Sequence, residues 1–217
     1  MINTAGRFYL IVCTITVVSM YLIIVHLVPL VLHTWGTIPK FVITVTSSLA
    51  VFRLIAWGVD IVLRKWVWLR AKVFGPSFLH GTWIGYFRGH NNDLRYVVEH
   101  FEQDFDGLVI RGQSFDRDGR EHAHWTSTSA SIDPVRGVLS YLSSCDIMTR
   151  NVTEQSVCIF QIKRDDKSDC AHGISGYAVD VNDGVRIAVI EQKLDKKLLP
   201  FSEALSQAME MAADANA

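Results

Sequence analysis

The sequence predicts an all-β domain, an eight-stranded up-and-down antiparallel barrel, preceded by a two-helix transmembrane hairpin and followed by a short helix. Two long apolar runs near the N-terminus predict the hairpin. Short β-prone runs separated by turn signals, with no helical pattern between them, predict the barrel. Charge follows the same division, because residues 1–63 contain only three of the 21 basic and one of the 22 acidic residues. The remaining net charge of −3 excludes the basic field that binding to long DNA or RNA requires.

The first apolar run, residues 8–32, contains 25 residues without a formal charge. As a helix it is long enough to cross about 30 Å of hydrocarbon. A signal peptide is the alternative, but its apolar core is shorter and no A-x-A cleavage motif follows. The second run, residues 41–63, is interrupted by Arg53 and Asp60. Residues 33–40 join the two runs and contain a glycine and a proline suited to a turn.

The flanking charges predict the orientation of the hairpin. Arg7 precedes the first span, and a basic cluster follows the second: Arg64, Lys65, Arg70 and Lys72. The positive-inside bias therefore places both termini and the globular domain in the cytoplasm. Trp66 and Trp68, among these basic residues, predict a juxtamembrane segment in the headgroup layer. The globular part contains three cysteines, an odd number that matches no disulfide or zinc pattern.

The barrel prediction comes from eight short runs in the second part of the chain. They cover residues 82–89, 94–103, 108–116, 121–132, 137–145, 157–164, 171–181 and 185–192. The dipeptides Asp118-Gly119 and Asp183-Gly184 predict tight hairpin turns, because Asp-Gly supplies the positive φ angles that such turns require. Eight hairpin-linked strands favour a closed barrel, since closure removes exposed edges, and a two-sheet sandwich is the alternative. We expect Trp83, at the start of the first strand, to close the bottom of the barrel.

The predicted organisation follows from these boundaries. It comprises a cytoplasmic N-terminus (1–7), two transmembrane helices (8–32 and 41–63) joined by a periplasmic turn (33–40), a juxtamembrane segment (64–77), a ligand-sensing barrel (78–195) and a C-terminal helix (196–217).

The interior of an eight-stranded barrel has room for side chains or for one small ligand. Residues 122–131 and 140–145 alternate poorly and are rich in hydroxyl groups, which predicts a hydrated, partly polar pocket wall. Arginine can pair with phosphate, and aromatic rings can stack on bases. The candidate nucleotide-binding residues are Arg88, Arg95, Tyr96, Trp125, Thr126 and Tyr141. For each of them, a surface arginine or a core aromatic residue is the alternative.

The sequence contains no hydrolase, kinase, P-loop or metalloprotease motif, so we assign no catalytic residue and expect a protein that is not an enzyme. His122 and His124 are two apart on a predicted strand and point to one side. No third ligand is paired with them, so no metal site is predicted. An enzyme remains an alternative, with His122, His124 and either Asp133 or Glu121 as its acid–base set.

The predicted spans carry polar faces of their own. Arg53, Trp57 and Asp60 fall on one face of the second span, and a lone guanidinium at mid-span costs roughly 2.5–3.5 kcal/mol. Ser19 and His26 form a similar stripe on the first span. We expect these faces to be hidden against another helix, either within the hairpin or between protomers. The alternative is that Arg53 snorkels to the membrane surface.

The two-span hairpin, the basic and aromatic segment and a barrel that opens with GTWIGYFRG, Gly81–Gly89, together resemble one family. These are the bacterial CBASS antiphage effectors of the two-transmembrane β-barrel type, which work with cyclic-oligonucleotide-producing nucleotidyltransferases. The resemblance implies a barrel that binds a cyclic dinucleotide as activating ligand, with no other cofactor. It further implies homo-oligomerisation in the bacterial inner membrane, disruption of that bilayer and abortive infection. The alternative is a membrane-anchored, lipocalin-like carrier or sensor of an apolar small molecule.

Overall fold

The computed structural model describes residues 4–27, 37–89, 92–148, 150, 152–165, 168–182 and 184–214. The chain divides into two compact units, Met1–Phe74 and Gly75–Ala217. The helices of the first unit are α1 (Thr4–Leu22), continued by a π-helical turn (Ile23–Leu27), α2 (Thr37–Lys65) and α3 (Val67–Phe74). Residues 33–36 of the predicted connector lie outside the described ranges, and its residues 37–40 belong to α2.

One helix among the described residues is long and apolar enough, by length and composition, to cross a membrane. It covers Tyr9–His26, with a mean hydropathy of 2.2 over that stretch. The predicted hairpin is therefore supported in its first span only. The helix at the second predicted span is 29 residues long, but it carries Arg53 near its middle and Asp60, Arg64 and Lys65 in its last turns. Membrane crossing by α2 stays a prediction.

The polar residues of the two long helices have different surroundings. Thr16 is buried in the helical unit and donates a hydrogen bond to the Val12 carbonyl at 2.8 Å, which satisfies its hydroxyl within α1. Asp60 forms an ion pair with Arg64 one turn later, at 2.8 Å. Arg53 is exposed. Association of its face, within the hairpin or between protomers, stays a prediction, and snorkelling stays the alternative.

The juxtamembrane segment keeps its basic and aromatic character at the surface. The helix breaks at Trp66 and resumes as α3, which ends in a 3₁₀ turn at Gly75–Ser77. Trp66 and Trp68 are about half exposed. Lys72 Nζ lies 5.7 Å from the ring centroid of Trp68, a cation–π distance.

The second unit is a closed barrel of eight antiparallel strands in sequence order, so the predicted topology is confirmed and the sandwich is excluded. The strands are β1 (Gly81–Arg88), β2 (Leu94–Gln103), β3 (Leu108–Phe115), β4 (Glu121–Asp133), β5 (Val138–Ile147), β6 (Val152–Asp165), β7 (Ser168–Asp180) and β8 (Arg186–Asp195). Pairing of β1 with β8 closes the ring. The largest boundary difference is at β6, which begins at Val152 rather than at the predicted residue 157.

The bottom of the barrel is packed with apolar side chains around Trp83, as predicted. Trp83 is fully buried and stacks on Phe101 with ring centroids 5.1 Å apart. Its indole N–H donates to the Leu79 carbonyl at 2.9 Å, which satisfies the one polar atom of the ring. Lys193 Nζ lies 5.4 Å from the centroid of the same ring, and burial lowers the pKa of this amine to about 8. The barrel is therefore closed at this end.

The C-terminal helix α4 (Phe201–Asp214) covers part of the outer barrel wall. Ala204, Ala208 and Ala212 are buried at four-residue spacing, which lets the helix lie close to the sheet. The first two belong to a second apolar cluster with Ile84 and Val98, which point outward from β1 and β2. Small residues on the helix and branched residues on the strands thus form a core outside the barrel.

Candidate functional site

A cavity with a volume of about 200 Å³ lies inside the barrel and opens to solvent. Alternation along each strand decides which side chains reach it, because successive residues point to opposite faces. Arg95, Val97 and Glu99 of β2 point inward, for example, and the residues between them point outward. Glu99 lies four positions after Arg95, so their backbone positions are roughly 13 Å apart along the strand.

The mouth of the cavity is lined by charged residues of both signs. Arg95 lies 3.8 Å from Asp93, and Arg150 lies 3.7 Å from Glu154. Burial lowers the pKa of His122, and the positive charges of Arg95 and Arg150 lower it further. This shared effect on one imidazole indicates that all three basic groups converge on the same rim. Three basic side chains around one opening can hold an anion.

The floor of the cavity is a pair of buried carboxyl groups. Glu99 and Glu191 are each 1% exposed. Glu99 Oε1 accepts hydrogen bonds from the indole N–H of Trp125 at 2.7 Å and from the hydroxyl of Tyr141 at 2.9 Å. A hydrogen bond also joins the two carboxyl groups and favours the proton on Glu191. The pair therefore shares a proton above the packed bottom of the barrel.

Burial dominates the ionisation of this floor. It raises the pKa of Glu99 to about 7, against an ordinary value of 4.5, although the bonds from Trp125 and Tyr141 oppose the rise. The pKa of Glu191 is well above its ordinary value because of burial and the neighbouring Glu99 charge. Burial and the Glu99 charge also raise the pKa of Tyr141. Near neutral pH the floor thus carries at most about one negative charge.

Two glycines make room for this arrangement. The indole of Trp125 lies across Gly112, where an added Cβ would collide with the ring carbons. Gly85 lies on β1, the strand between those of the two acids. Glu99 of β2 pairs with Trp83, and Glu191 of β8 pairs with Gly85 itself. A Cβ at Gly85 would lie 2.6 Å from the Cγ of Glu191. The missing side chains therefore let Trp125 and Glu191 occupy their positions on the floor.

Two cysteine thiols line the wall between floor and mouth. Burial raises the pKa of Cys145 to about 11 and that of Cys158 to about 12. Both groups are therefore protonated at neutral pH, and neither is poised as a nucleophile.

Three of the six predicted nucleotide-binding residues meet at the cavity: Arg95, Trp125 and Tyr141. The other three do not reach it. Arg88 is exposed at the end of β1, and Thr126 is exposed because its neighbour Trp125 takes the inward position. Tyr96 points outward and packs in the apolar cluster beneath α4. The prediction had placed residues near the pocket without assigning each one to a face of its strand, so these three lie away from the cavity. Nucleotide binding by any of the six stays a prediction.

The prediction of a hydroxyl-rich pocket wall holds only in part. Ser143 lines the cavity and is buried, whereas Thr126, Thr128 and Ser131 of β4 are exposed. The polarity of the cavity comes mainly from the charged side chains of its floor and its mouth. Sequence reasoning missed Glu99, Glu191 and Arg150. Val97, Glu99 and Phe101 occupy alternate positions along β2. This alternation could have revealed Glu99, since an acid at an inward position is unusual.

The histidines and acids of the alternative enzyme set are not brought together. His122 lines the cavity. His124 lies about half exposed, 3.0 Å from Glu121 and 3.3 Å from Asp146. Asp133 is at the far end of β4, where its side chain accepts backbone hydrogen bonds in the turn to β5. Among the described residues, no group of three or more candidate ligands could hold a metal ion.

Comparison with known proteins does not show a family for this chain. No family model matches the chain, and no curated protein matches it. Among solved structures, a redesigned β-barrel is 15% identical, with a TM-score of 0.43, and the match covers 56% of this chain and 96% of that one.

Proposed function

We propose that this chain is a membrane-anchored effector whose barrel binds a cyclic dinucleotide, and that binding gathers the anchors within a bacterial inner membrane. The observation that carries the proposal is the cavity, with Arg95, Arg150 and His122 around its mouth and a hydrogen-bonding floor of Glu99 and Trp125. A nucleotide carries phosphate at one end and a base at the other. Cations bind the phosphate, and polar groups beside aromatic rings bind the base.

The acidic partners at the mouth hold their arginines weakly. Both ion pairs are long, and Asp93 and Arg150 are each more than half exposed. Exposed pairs of this kind contribute about 0–1 kcal/mol. A phosphate that pairs bidentately with Arg95 or Arg150 can therefore replace them with a net gain. Protonation of His122 would add a third charge-assisted hydrogen bond.

The size of the cavity bears on how the ligand is held. A volume of about 200 Å³ is below the roughly 300–1,000 Å³ of pockets that enclose drug-sized ligands. One nucleotide of a cyclic dinucleotide would enter the barrel, and the other would project from the mouth. A projecting half is available to a second copy of the chain. Such a ligand drives association, because the oligomer binds it better than the single chain does.

The helical unit supplies the membrane part of the proposal. The apolar helix at Tyr9–His26 is its anchor. We propose that α2 forms a second span, with the barrel on the cytoplasmic side, as the basic residues that follow it favour. The exposed face that carries Arg53 and Trp57 would then meet the same face of neighbouring protomers. Clustering of such polar faces in the bilayer would disrupt it and arrest an infected cell.

A carrier of an apolar small molecule is the second candidate, and the cavity wall favours it. Val97, Phe160 and Val189 line the middle of the cavity. An apolar ligand would, however, cover the carboxyl pair without satisfying it, and it would leave the basic mouth unused. The nucleotide uses both ends of the cavity.

The test is calorimetry of the full-length protein in detergent micelles with cyclic di-GMP, cyclic di-AMP, cyclic di-UMP and a long-chain fatty acid. We expect saturable binding of at least one cyclic dinucleotide. Loss of a charge-assisted hydrogen bond of about 1.5–3 kcal/mol lowers affinity by about tenfold or more, which is the expected effect of Arg95→Ala and of Arg150→Ala. Arg186→Ala is the matched control, since Arg186 lies outside the cavity against Tyr177. Binding of the fatty acid alone, or of nucleotides with no effect of either mouth variant, overturns the proposal.

A further inference from the structure

We propose that the carboxyl pair on the cavity floor reads the inserted base, and that it selects guanine. This inference rests on the proposed function and adds the identity of the ligand to it. The Watson–Crick edge of guanine presents two adjacent donors, the ring N1–H and the exocyclic amine. A pair of acceptor oxygens with no other hydrogen to accept is the complement of that edge.

The floor has acceptor oxygens to spare. Glu99 Oε1 is already occupied by Trp125 and Tyr141. Among the described residues, Glu99 Oε2 and Glu191 Oε2 have no hydrogen-bond partner. Both atoms are fully buried on side chains that line the cavity. A ligand in the cavity would therefore reach them only by displacing the atoms that cover them.

Glu99 satisfies two buried donors, but the fold shows no such need for a second acid at Glu191. The inward neighbours on the same strands, Val97 and Val189, are apolar and pack without polar partners. Two carboxyl groups buried side by side destabilise a core, and apolar residues of similar volume are commonly as good or better. Trp125 and Tyr141 nevertheless direct their donors to one oxygen of Glu99. That arrangement fixes the orientation of the carboxyl and leaves its second oxygen for a ligand.

The other bases fit this floor less well. Adenine presents one amine beside a ring acceptor, and uracil presents one N–H between two acceptors. Each of them would place an acceptor against a carboxylate oxygen, an unpaired contact that is costly away from water. Hypoxanthine keeps the guanine ring and its N1–H but lacks the exocyclic amine. A comparison of hypoxanthine with guanine therefore measures the contribution of the exocyclic amine without a change in the ring.

The experiment compares cyclic di-GMP, cyclic di-IMP and cyclic di-AMP, all with the same phosphodiester linkage, in calorimetry of the full-length protein in micelles. A good bidentate contact discriminates between bases by about 1–3 kcal/mol, or about 5- to 150-fold. We expect cyclic di-GMP to bind at least about tenfold more tightly than cyclic di-IMP. In Glu99→Gln and in Glu191→Gln, the preference should fall to within about twofold, because each amide introduces a donor on the floor.

Glu102→Gln is the matched control, since Glu102 lies on the same strand as Glu99 but pairs with Arg111 outside the cavity, at 2.8 Å. It should keep the preference for guanine. Should a floor variant fail to fold, the comparison of guanine with hypoxanthine in the natural chain decides the inference by itself. Equal affinity for the three ligands, weakened alike by Arg95→Ala, overturns the base assignment and leaves the proposed function standing. Binding of none of them overturns both.

Discussion

The pH dependence of barrel stability gives the sharpest test of the buried acid pair. Glu99 has a pKa of about 7 in the folded chain, against 4.5 for an ordinary glutamate. Below pH 4.5 both the folded and the unfolded states hold this proton. Between pH 4.5 and 7 the unfolded state releases it while the folded state retains it, so the free energy of unfolding falls as pH rises.

The magnitude follows from that difference. Each pKa unit corresponds to about 1.4 kcal/mol, so the Glu99 proton accounts for about 3 kcal/mol of stability lost between pH 4.5 and 7. Glu191 acts in the same direction, because its pKa is also raised. We expect the free energy of unfolding of the natural chain, relative to that of a variant without the two acids, to be largest below pH 4.5. The double variant Glu99→Gln/Glu191→Gln should lose this dependence, since its amides do not titrate.

The assay is urea unfolding of the full-length protein in micelles at several pH values between 4.5 and 8, followed by the infrared amide I band of the sheet. The difference between the natural chain and the double variant is the quantity of interest, because other carboxyl groups titrate in both. Glu210→Gln, on the exposed side of α4, is the control and should behave as the natural chain does. Parallel pH profiles for the natural chain and the double variant would refute the reasoning.

Three further predictions concern separate parts of the molecule. Gly112→Ala should displace the indole of Trp125 from Glu99, because the added Cβ would collide with the ring. The displacement should shift or quench the fluorescence of Trp125 and weaken nucleotide binding. Ala208→Leu should lower the free energy of unfolding by about 1–3 kcal/mol through overpacking beneath α4, whereas Gln207→Leu on the exposed side should change it little. Arg53→Leu should leave nucleotide binding intact and abolish toxicity in cells that also produce the ligand, because it removes the polar face of α2.

Each of these predictions has a contrary outcome. Unchanged fluorescence and binding in Gly112→Ala would show that Trp125 can relax without loss of its contact. Equal stability of the two leucine variants would mean that α4 is not packed against the sheet. Normal killing by the Arg53→Leu variant would remove α2 association from the proposed mechanism.

The barrel illustrates how much short-range sequence information specifies. Asp-Gly dipeptides mark the tight turns, and Gly119 and Gly184 do have positive φ angles, 76° and 69°. The strand positions follow from the alternation between these turns, and the closed order follows from the need to pair every edge. The position of Trp83 at the start of the first strand likewise predicts that this residue closes the bottom of the barrel. Interactions close together in sequence account for the turns and the strand positions, whereas closure itself joins β1 to β8.

Other features depend on contacts far apart in the chain. Whether Arg95 or Tyr96 faces the cavity depends on the pairing register of β2 with its neighbours, and a shift of one residue reverses every side chain. The covering of Tyr96 by α4 is a second such case.

Turn chemistry and hydrophobic patterns are local properties, so they were enough to predict a barrel behind an apolar helix. The site exists only in the folded chain. Glu99 and Glu191 come from the second and the last strand, and they meet because barrel closure places both beside β1 at Gly85. No local sequence pattern predicts this contact between the two acids, because their burial and their shared proton arise only when distant strands pair.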